Sequence, residues 1–548
     1  MPPRHPIPLL LFLLALGGRA RADGLPIGPA MGDAQSRPKV VSDGRGGALV
    51  SYKTATLYEG AVHVNASGIE DGGIGFAPVA VPMALEAGEP VRLSLPSDSQ
   101  VVLVADRGTE SSATLTSLRA GGTASVGFPV SLAMAHRHPA VVAGLGGRTL
   151  LVSKNSDATT YWTLRAAIVT ASGDVEVSVQ LPSPYQFFNA DRVDATTDGA
   201  GGLIAAFPYY DMLGGGGKDI GVFRLAADGS RPWGDQPVPL VFAPFDQADP
   251  RLVPDGVGGA IIVWADPRDQ TRGPDIYALR IDANANRSRG WAYYGQPVCD
   301  APGPQSQPRI LSDGQGGAWV TWLDQRGGLD GDLRYTHLLG SALLAGGFTS
   351  SGTVLCDAPG AQGDVDLAGD GAGGFFAVWR DDRNGNADVY AQHVLPDGAI
   401  SAGWPANGRA LSIASGAQDQ PSIASVSAGR AVVAWRDGRA AGTRIYAAGI
   451  FDAATTGAPL SARSALRLAS IAPARGRVTV RLTLPSAAPA TLELLDLAGR
   501  VRSRTEPVGP LAERPIALET AAPLAPGLYF ARVRQGGASA RVRVTVLR

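Results

Sequence analysis

Between residues 44 and 438 the chain alternates polar turns with short apolar runs, and the alternation recurs eight times. In its fullest form the turn reads Asp-Gly-x-Gly-Gly. The run that follows alternates in the manner of a strand and closes on a large apolar residue, usually aromatic. In the strong copies an Asp stands two residues beyond. The clearest copies are SDGQGGAWVTWLDQR (312–326), PDGVGGAIIVWADPR (254–268) and GDGAGGFFAVWRDDR (369–383). The run ends align at Tyr52, Val104, Val152, Phe207, Trp264, Trp322, Trp379 and Trp435, at intervals of 52, 48, 55, 57, 58, 57 and 56 residues. A period of this length predicts a repeat architecture. The second and third copies are the weakest, because Ser97 to Gln100 and Gly144 to Gly147 only approximate the turn.

One unit, 305–360, shows what must fold. Gln307 to Leu311 is a short extended run that ends at the tight-turn pair Asp313-Gly314. Gly316-Gly317 opens a strand that places Ala318, Val320 and Trp322 on one face and Trp319 and Thr321 on the other. A polar loop, a third run from Asp332 to Leu338 and a fourth from Gly352 to Cys356 complete it. No amphipathic helix of ten residues is visible. Four strands per unit, with a second strand apolar on both faces, predict blades of a β-propeller, eight of them. A β-helical solenoid is the rival. A string of sandwich domains is disfavoured, because about 55 residues is small for an independent core.

The N-terminus matches the end of a unit. Leu25-Pro26-Ile27, followed by Gln35, Pro38 and Asp43, parallels Gln296-Pro297-Val298 with Gln305, Pro308 and Asp313. The eighth unit lacks such a strand, so 25–30 is predicted to close the ring. Before it, Arg4 and His5, the apolar run Ile7 to Leu16 and the small-x-small site Ala20-Arg21-Ala22 read as a signal peptide over 1–22. That predicts a secreted or bacterial cell-surface protein, with a propeller over 23–460. No later stretch is apolar enough for a transmembrane helix. Composition adds little. A net charge of −1 gives no electrostatic case for nucleic acid.

Beyond about residue 460 the repeat stops. Residues 466–548 carry Ile471-Ala-Pro473-Ala-Arg475-Gly476, alternating Val478, Val480, Leu482 and Leu484, then Asp496…Gly499-Arg500 and Pro526-Gly527-Leu528-Tyr529. Six or seven short strands in this span predict a small β-sandwich. The order of these pieces resembles the C-terminal sorting domains of type IX-secreted proteins and the related Ig-like domain of the flagellar hook-capping protein. The resemblance implies an Ig-like fold and delivery by a secretion machinery. The repeat region resembles a class of bacterial secreted repeat proteins, which implies no activity.

The chemistry is sparse. Asp-x-Arg pairs recur as Asp266/Arg268, Asp324/Arg326, Asp381/Arg383 and Asp437/Arg439. They read either as a ligand-binding ring or as a tie holding the same turn in every blade, and recurrence favours the tie. The four Trp read as core. Tyr209-Tyr210, Trp291-Tyr293-Tyr294 and Trp404 are the candidate exposed contacts. Asp381 to Asp388 loosely resembles a calcium loop but lacks its spacing. Cys299 and Cys356, at equivalent places in adjacent units, read as buried thiols. His136-Arg-His138 has no completing metal ligands, and there is no nucleophile elbow, His-Glu-x-x-His or phosphate loop. No catalytic, cofactor-binding or metal residue is assigned. The functional expectation is a binding or adhesion module without a catalytic site, for an extracellular glycan or protein. The alternative is a glycan-active propeller hydrolase or lyase. An enzyme should show one polar cluster that departs from the repeat, with the irregular loops 106–118, 154–162 and 208–218 as places to look.

Overall fold

The computed structural model describes residues 24–547 apart from 28–33, 44–45, 55–57, 66–78, 83–91, 98–99, 107–111, 120–129, 134–136, 157–161, 182–192, 211–216, 329, 441, 453–466, 471–473, 476–477, 485–489, 497–499, 507–510, 519–523 and 536–537. The chain is all-β. The one exception among the described residues is a single 3₁₀ turn at Leu145–Gly147. It divides into two units, Met1–Asp452 and Ala453–Arg548. The signal peptide expected over 1–22 lies outside the described residues, as do residues 453–465 between the two expected domains.

In the first unit the described strands form eight four-stranded antiparallel sheets. The sixth is typical. Gln305–Ser312, Ala318–Asp324, Asp332–Leu338 and Thr353–Cys356 pair in chain order. The eighth is composite. Gln418–Ser427, Arg430–Ala440 and Gly442–Phe451 are joined by Leu25–Pro26, which pairs Leu25 with Ala447 and Pro26 with Tyr446. The Ile27 N–H extends the pairing to the Ile445 carbonyl at 3.0 Å. The first strand of each sheet lies beside the first strand of the next, and Gln418–Ser427 lies beside Gln35–Ser42, so the series is cyclic.

The repeated turn explains its own sequence. Asp255 Oδ1 accepts the N–H groups of Val257 at 2.9 Å and Gly259 at 2.8 Å, and Asp313 and Asp370 do the same in their sheets. Gly256 and Gly258 adopt φ of 80° and 96°, conformations that L side chains rarely take. The third glycine, Gly259, is required for a different reason: a Cβ there would strike the Ile281 carbonyl.

The second strand of each strong sheet is buried on both faces. Ala260 through Asp266 are all buried, and Trp264, Trp322, Trp379 and Trp435 are fully buried. Residues from adjacent sheets share these cores; Trp264 and Val263 pack with Val320 and Trp322.

One backbone feature was not visible in sequence. Six first strands carry a register shift near their start. In five of them the bulged residue, Arg37, Asp249, Gln307, Asp364 or Gln420, has φ between 50° and 54°. Left-handed backbone is costly for such residues, by about 1–3 kcal/mol each. Recurrence at the same place shows that the sheet imposes it, and in these five strands the bulge falls on a non-glycine residue near the start.

The second unit holds a three-stranded sheet (Arg467–Ser470, Val478–Leu484, Leu511–Leu518) and a five-stranded one. Among the described residues that makes eight strands, against the six or seven expected, and one of them is the two-residue Ala474–Arg475. Val480, Leu492, Leu494, Ala531, Val533 and Val544 form its core. The Asp496…Arg500 piece is a turn: the Arg500 N–H donates to Asp496 Oδ1 at 2.9 Å, and the Asp496 N–H to the Arg500 carbonyl at 3.0 Å.

Candidate functional site

The recurring Asp-x-Arg pairs are ties. In the fifth sheet the Trp264 indole N–H donates to Asp266 Oδ2 at 2.7 Å, and Arg268 holds the same carboxylate through Nε at 2.9 Å and Nη2 at 2.5 Å. The guanidinium lies 4.0 Å over the Tyr277 ring and donates to the Tyr294 carbonyl. The set recurs as Trp322/Asp324/Arg326, Trp379/Asp381/Arg383/Tyr390 and Trp435/Asp437/Arg439/Tyr446. Each buried carboxylate is therefore satisfied by its own turn and has no face left for a ligand. At Asp324 burial works to raise the carboxyl, but the bonds from Arg326 and Trp322 outweigh it and hold it below its ordinary value.

Where the sheets depart from the repeat, charge collects in one place. In the seventh sheet Arg380 occupies a position held by Ala265 in the fifth and Leu323 in the sixth. Its Nη1 donates to both oxygens of Asp382, at 3.0 and 2.8 Å, and its Nε lies 3.9 Å from Asp364, the bulged residue of the same sheet. At the equivalent place in the eighth sheet, Arg436 makes a two-pronged pair with Asp419, 2.6 Å through Nε. That bond first, and the attraction of Asp419 and Asp364, raise the Arg436 pKa. Asp364 thus touches the fields of both guanidinia across the boundary between two sheets.

The group stays open to solvent, with Asp364 55% exposed and Arg380 and Asp382 each 30%. On the far side, the Arg37 N–H of the first sheet donates to Gln420 Oε1 at 2.8 Å, and Arg37 Nη1 is a buried donor with no partner. Carboxylates and guanidinia in this arrangement can bind sugar hydroxyls in pairs, and a free carboxylate beside a cation can move a proton. Asp364 and Asp382 lie against the same guanidinium, 3.9 Å from its Nε and 2.8 Å from its Nη1.

The sequence pointed elsewhere for exposed contacts and for the polar cluster. Tyr209 is fully buried, and Trp291 and Trp404 nearly so; they pack inward because they cover the ends of sheet cores. Tyr293 and Tyr294 are exposed, as expected. Segments 107–111, 157–161 and 211–216 of the flagged loops lie outside the described residues, as does His136. In the calcium-like loop Asn384 and Asn386 donate their amides to Asp388, at 2.7 and 3.2 Å, so the loop is closed by its own hydrogen bonds. No cluster of three or more metal-binding side chains occurs among the described residues. Cys299 and Cys356 are free and buried, and burial pushes their thiols up to about 11 and about 12.

No protein-family profile matches the chain, and no curated protein matches it. Solved structures do. The polysaccharide lyase Uly1 is similar at 10% identity over 68% of this chain and 91% of its own, with a TM-score of 0.39. An α-L-arabinanase of Penicillium chrysogenum, solved with arabinobiose, is similar at 13% identity over 57% and 92%, with a TM-score of 0.33. A eukaryotic initiation factor is similar at 12% identity over 89% and 98%, with a TM-score of 0.38. These are likenesses of fold, and no residue role is carried across. Glycosidases and a polysaccharide lyase stand among the similar structures, against the expectation of a binding or adhesion module without a catalytic site; the glycan-active alternative is argued below from this chain's own residues.

Proposed function

We propose that this protein is an extracellular glycan-active enzyme, built on an eight-bladed propeller, whose working groups are Asp364, Arg380, Asp382, Asp419 and Arg436. The observation that carries the reading is the departure from the repeat. A residue present in every blade serves the blade, whereas Arg380 and Arg436 stand where sister sheets hold Ala265 and Leu323, and they gather Asp364, Asp382 and Asp419 into a group partly open to solvent. Asp364, 55% exposed beside the Arg380 guanidinium, is the candidate base, and Arg380, paired with Asp382, orients the sugar hydroxyls. Arg436 and Asp419 then position the glycan.

The eight blades rest on the eight four-stranded sheets and their cyclic order, closed by the strand at Leu25–Pro26. The second unit is proposed as an Ig-like sorting domain, after a signal peptide over 1–22. What supports the reading is the Asp496–Arg500 turn and a core to which both sheets of the unit contribute.

The test is incubation of the full chain with a panel of plant, algal and bacterial polysaccharides. Chromatography of released oligosaccharides reports cleavage, and absorbance of an unsaturated uronate separates elimination from hydrolysis. Oligosaccharide release from one polymer class is expected. A panel left intact would overturn the reading. Delivery is tested separately, by fractionating a type IX-secreting host that expresses either the full chain or one ending at Ala462. Equal surface display of both would remove the sorting role.

A further inference from the structure

The fifth sheet carries a second departure from the repeat, on the segment that leads into its fourth strand, Gln296–Cys299. Tyr293 is 63% exposed and Tyr294 42% exposed. Their rings stand edge to face, with centroids 4.8 Å apart at 84°. The bridge partners Ile281–Arg287, Leu338–Leu344 and Val394–Ile400 fix the equivalences between sheets. By that register Arg287, Tyr293 and Tyr294 stand where the sixth sheet has Leu344, Ser350 and Ser351, and the seventh Ile400, Ala406 and Asn407. Three neighbouring positions have changed together.

The changed residues also act on one another. The Arg287 guanidinium lies 4.0 Å over the Tyr293 ring, and its Nε donates to the Tyr293 carbonyl at 2.6 Å. Its Nη2 donates to the Leu240 carbonyl of the fourth sheet at 2.9 Å. The Tyr294 carbonyl accepts from Arg268 Nη2 at 2.9 Å. Just before the pair, the buried Trp291 anchors the segment by donating its indole N–H to Gly340 of the sixth sheet at 3.1 Å. So two exposed rings are held at fixed angles by backbone ties on both carbonyls. Rigid aromatic faces bind at low entropic cost, because little order remains to be imposed.

From this geometry we infer that Tyr293 and Tyr294 form a carbohydrate-binding platform, separate from the ionic cluster, on which pyranose or furanose rings of a polymeric glycan stack. Two side chains are too small an area for a stable protein partner, which needs roughly 800 Å² from each side. They match the face of one or two sugar rings, and the hydroxyls at the ring tips and the Arg287 guanidinium supply hydrogen bonds at the rim. The inference rests on the glycan reading above for the class of ligand, but it concerns binding and not turnover.

Affinity gel electrophoresis tests it, with arabinan, xylan, pectin and alginate cast in separate gels. The expected result is retardation of the full chain in at least one gel. In Tyr293→Ala/Tyr294→Ala the apparent affinity falls by about tenfold or more. Tyr293→Phe/Tyr294→Phe, which keeps both rings, retains most of the retardation, and so does Val257→Ser, on an exposed turn of the same sheet. Wild-type migration unaffected by all four polymers would overturn the platform, as would equal retardation of the double alanine variant. Loss of retardation in Arg380→Ala alone, with the tyrosine variant unaffected, would locate all binding at the ionic cluster and overturn it too.

Discussion

Gly24 lies against the indole of Trp435 as Gly295 lies against Trp264: at either position a Cβ would run into Cη2 and Cζ2 of the ring. The two contacts are equivalent, although Gly295 is 31 residues from its partner and Gly24 is 411 residues away. The N-terminal strand therefore completes the eighth sheet by the same packing that completes the fifth.

Closure makes a direct prediction. Gly24 has φ of 61°, so Gly24→Leu meets both backbone strain and the Trp435 ring, at a cost of about 1–3 kcal/mol. A chain lacking 23–34 should lose more, because it also exposes the unpaired edge of Gly442–Phe451. Thermal melting of both variants checks this, and an unchanged melting temperature in the deletion would refute it.

Trp322 fills the boundary between the fifth and sixth sheets and donates its indole N–H to Asp324. Trp322→Ala should cost about 3–5 kcal/mol. Trp322→Phe keeps most of the volume but removes the donor from a buried carboxylate, at a cost of about 1–3 kcal/mol. Denaturant titration should rank the two in that order, with cleavage by a protease rising near 305–345 in the alanine variant.

Asp275 gives a pH test. Burial pushes its carboxyl up to about 6, against the pull of Arg272, and Oδ1 has no hydrogen-bond partner. Because the folded-state value is raised, the favourable contribution is complete below 3.8 and is lost as pH rises through about 6. Asp275→Asn should therefore raise stability at pH 7.5 by about 1–3 kcal/mol and change little at pH 4. An equal shift at both pH values would show that the substitution acts through packing alone.

His393 is fully buried between Asp452, 2.6 Å from Nδ1, and Asp370, 3.1 Å from Nε2, and Ser401 donates to the same Asp452 oxygen. Burial works to raise Asp370, but the histidine bond and the turn N–H groups hold it below its ordinary value. His393→Leu leaves two buried carboxylates facing an apolar side chain, at a cost of about 3–5 kcal/mol at neutral pH. The Asp370 contribution is present above 3.8 and lost as pH falls below it, so the deficit should shrink in acid. Paired melts at pH 7 and pH 3.5 measure the difference.

Much of the fold was legible because it is written locally. Asp-Gly-x-Gly-Gly, the alternating run and its terminal Trp all lie within about a dozen residues, and the register of Leu25-Pro26-Ile27 disclosed the closure. The bulges at Asp364 and Gln420 were not legible, since a left-handed residue there is imposed by neighbouring first strands and leaves no glycine to mark it. The ionic cluster was hidden for a related reason. Asp364, Arg380, Asp419 and Arg436 come from four strands of two sheets, and in sequence each reads as an ordinary surface charge. Tyr209 and Trp404 were misplaced because aromatics near a turn can cover a core end as readily as they can face water.

The central claim is that chemistry resides in the charges that break the repeat and not in the Asp–Arg ties that make it. The most direct measurement is glycan turnover by Asp364→Asn, Arg380→Ala and Arg436→Ala beside the wild type, each with its melting temperature. The account predicts a loss of about 100-fold or more in turnover for the Asp364 and Arg380 variants, with melting within a few degrees of wild type. Wild-type turnover in all three variants, or activity that falls only in step with stability, would contradict it.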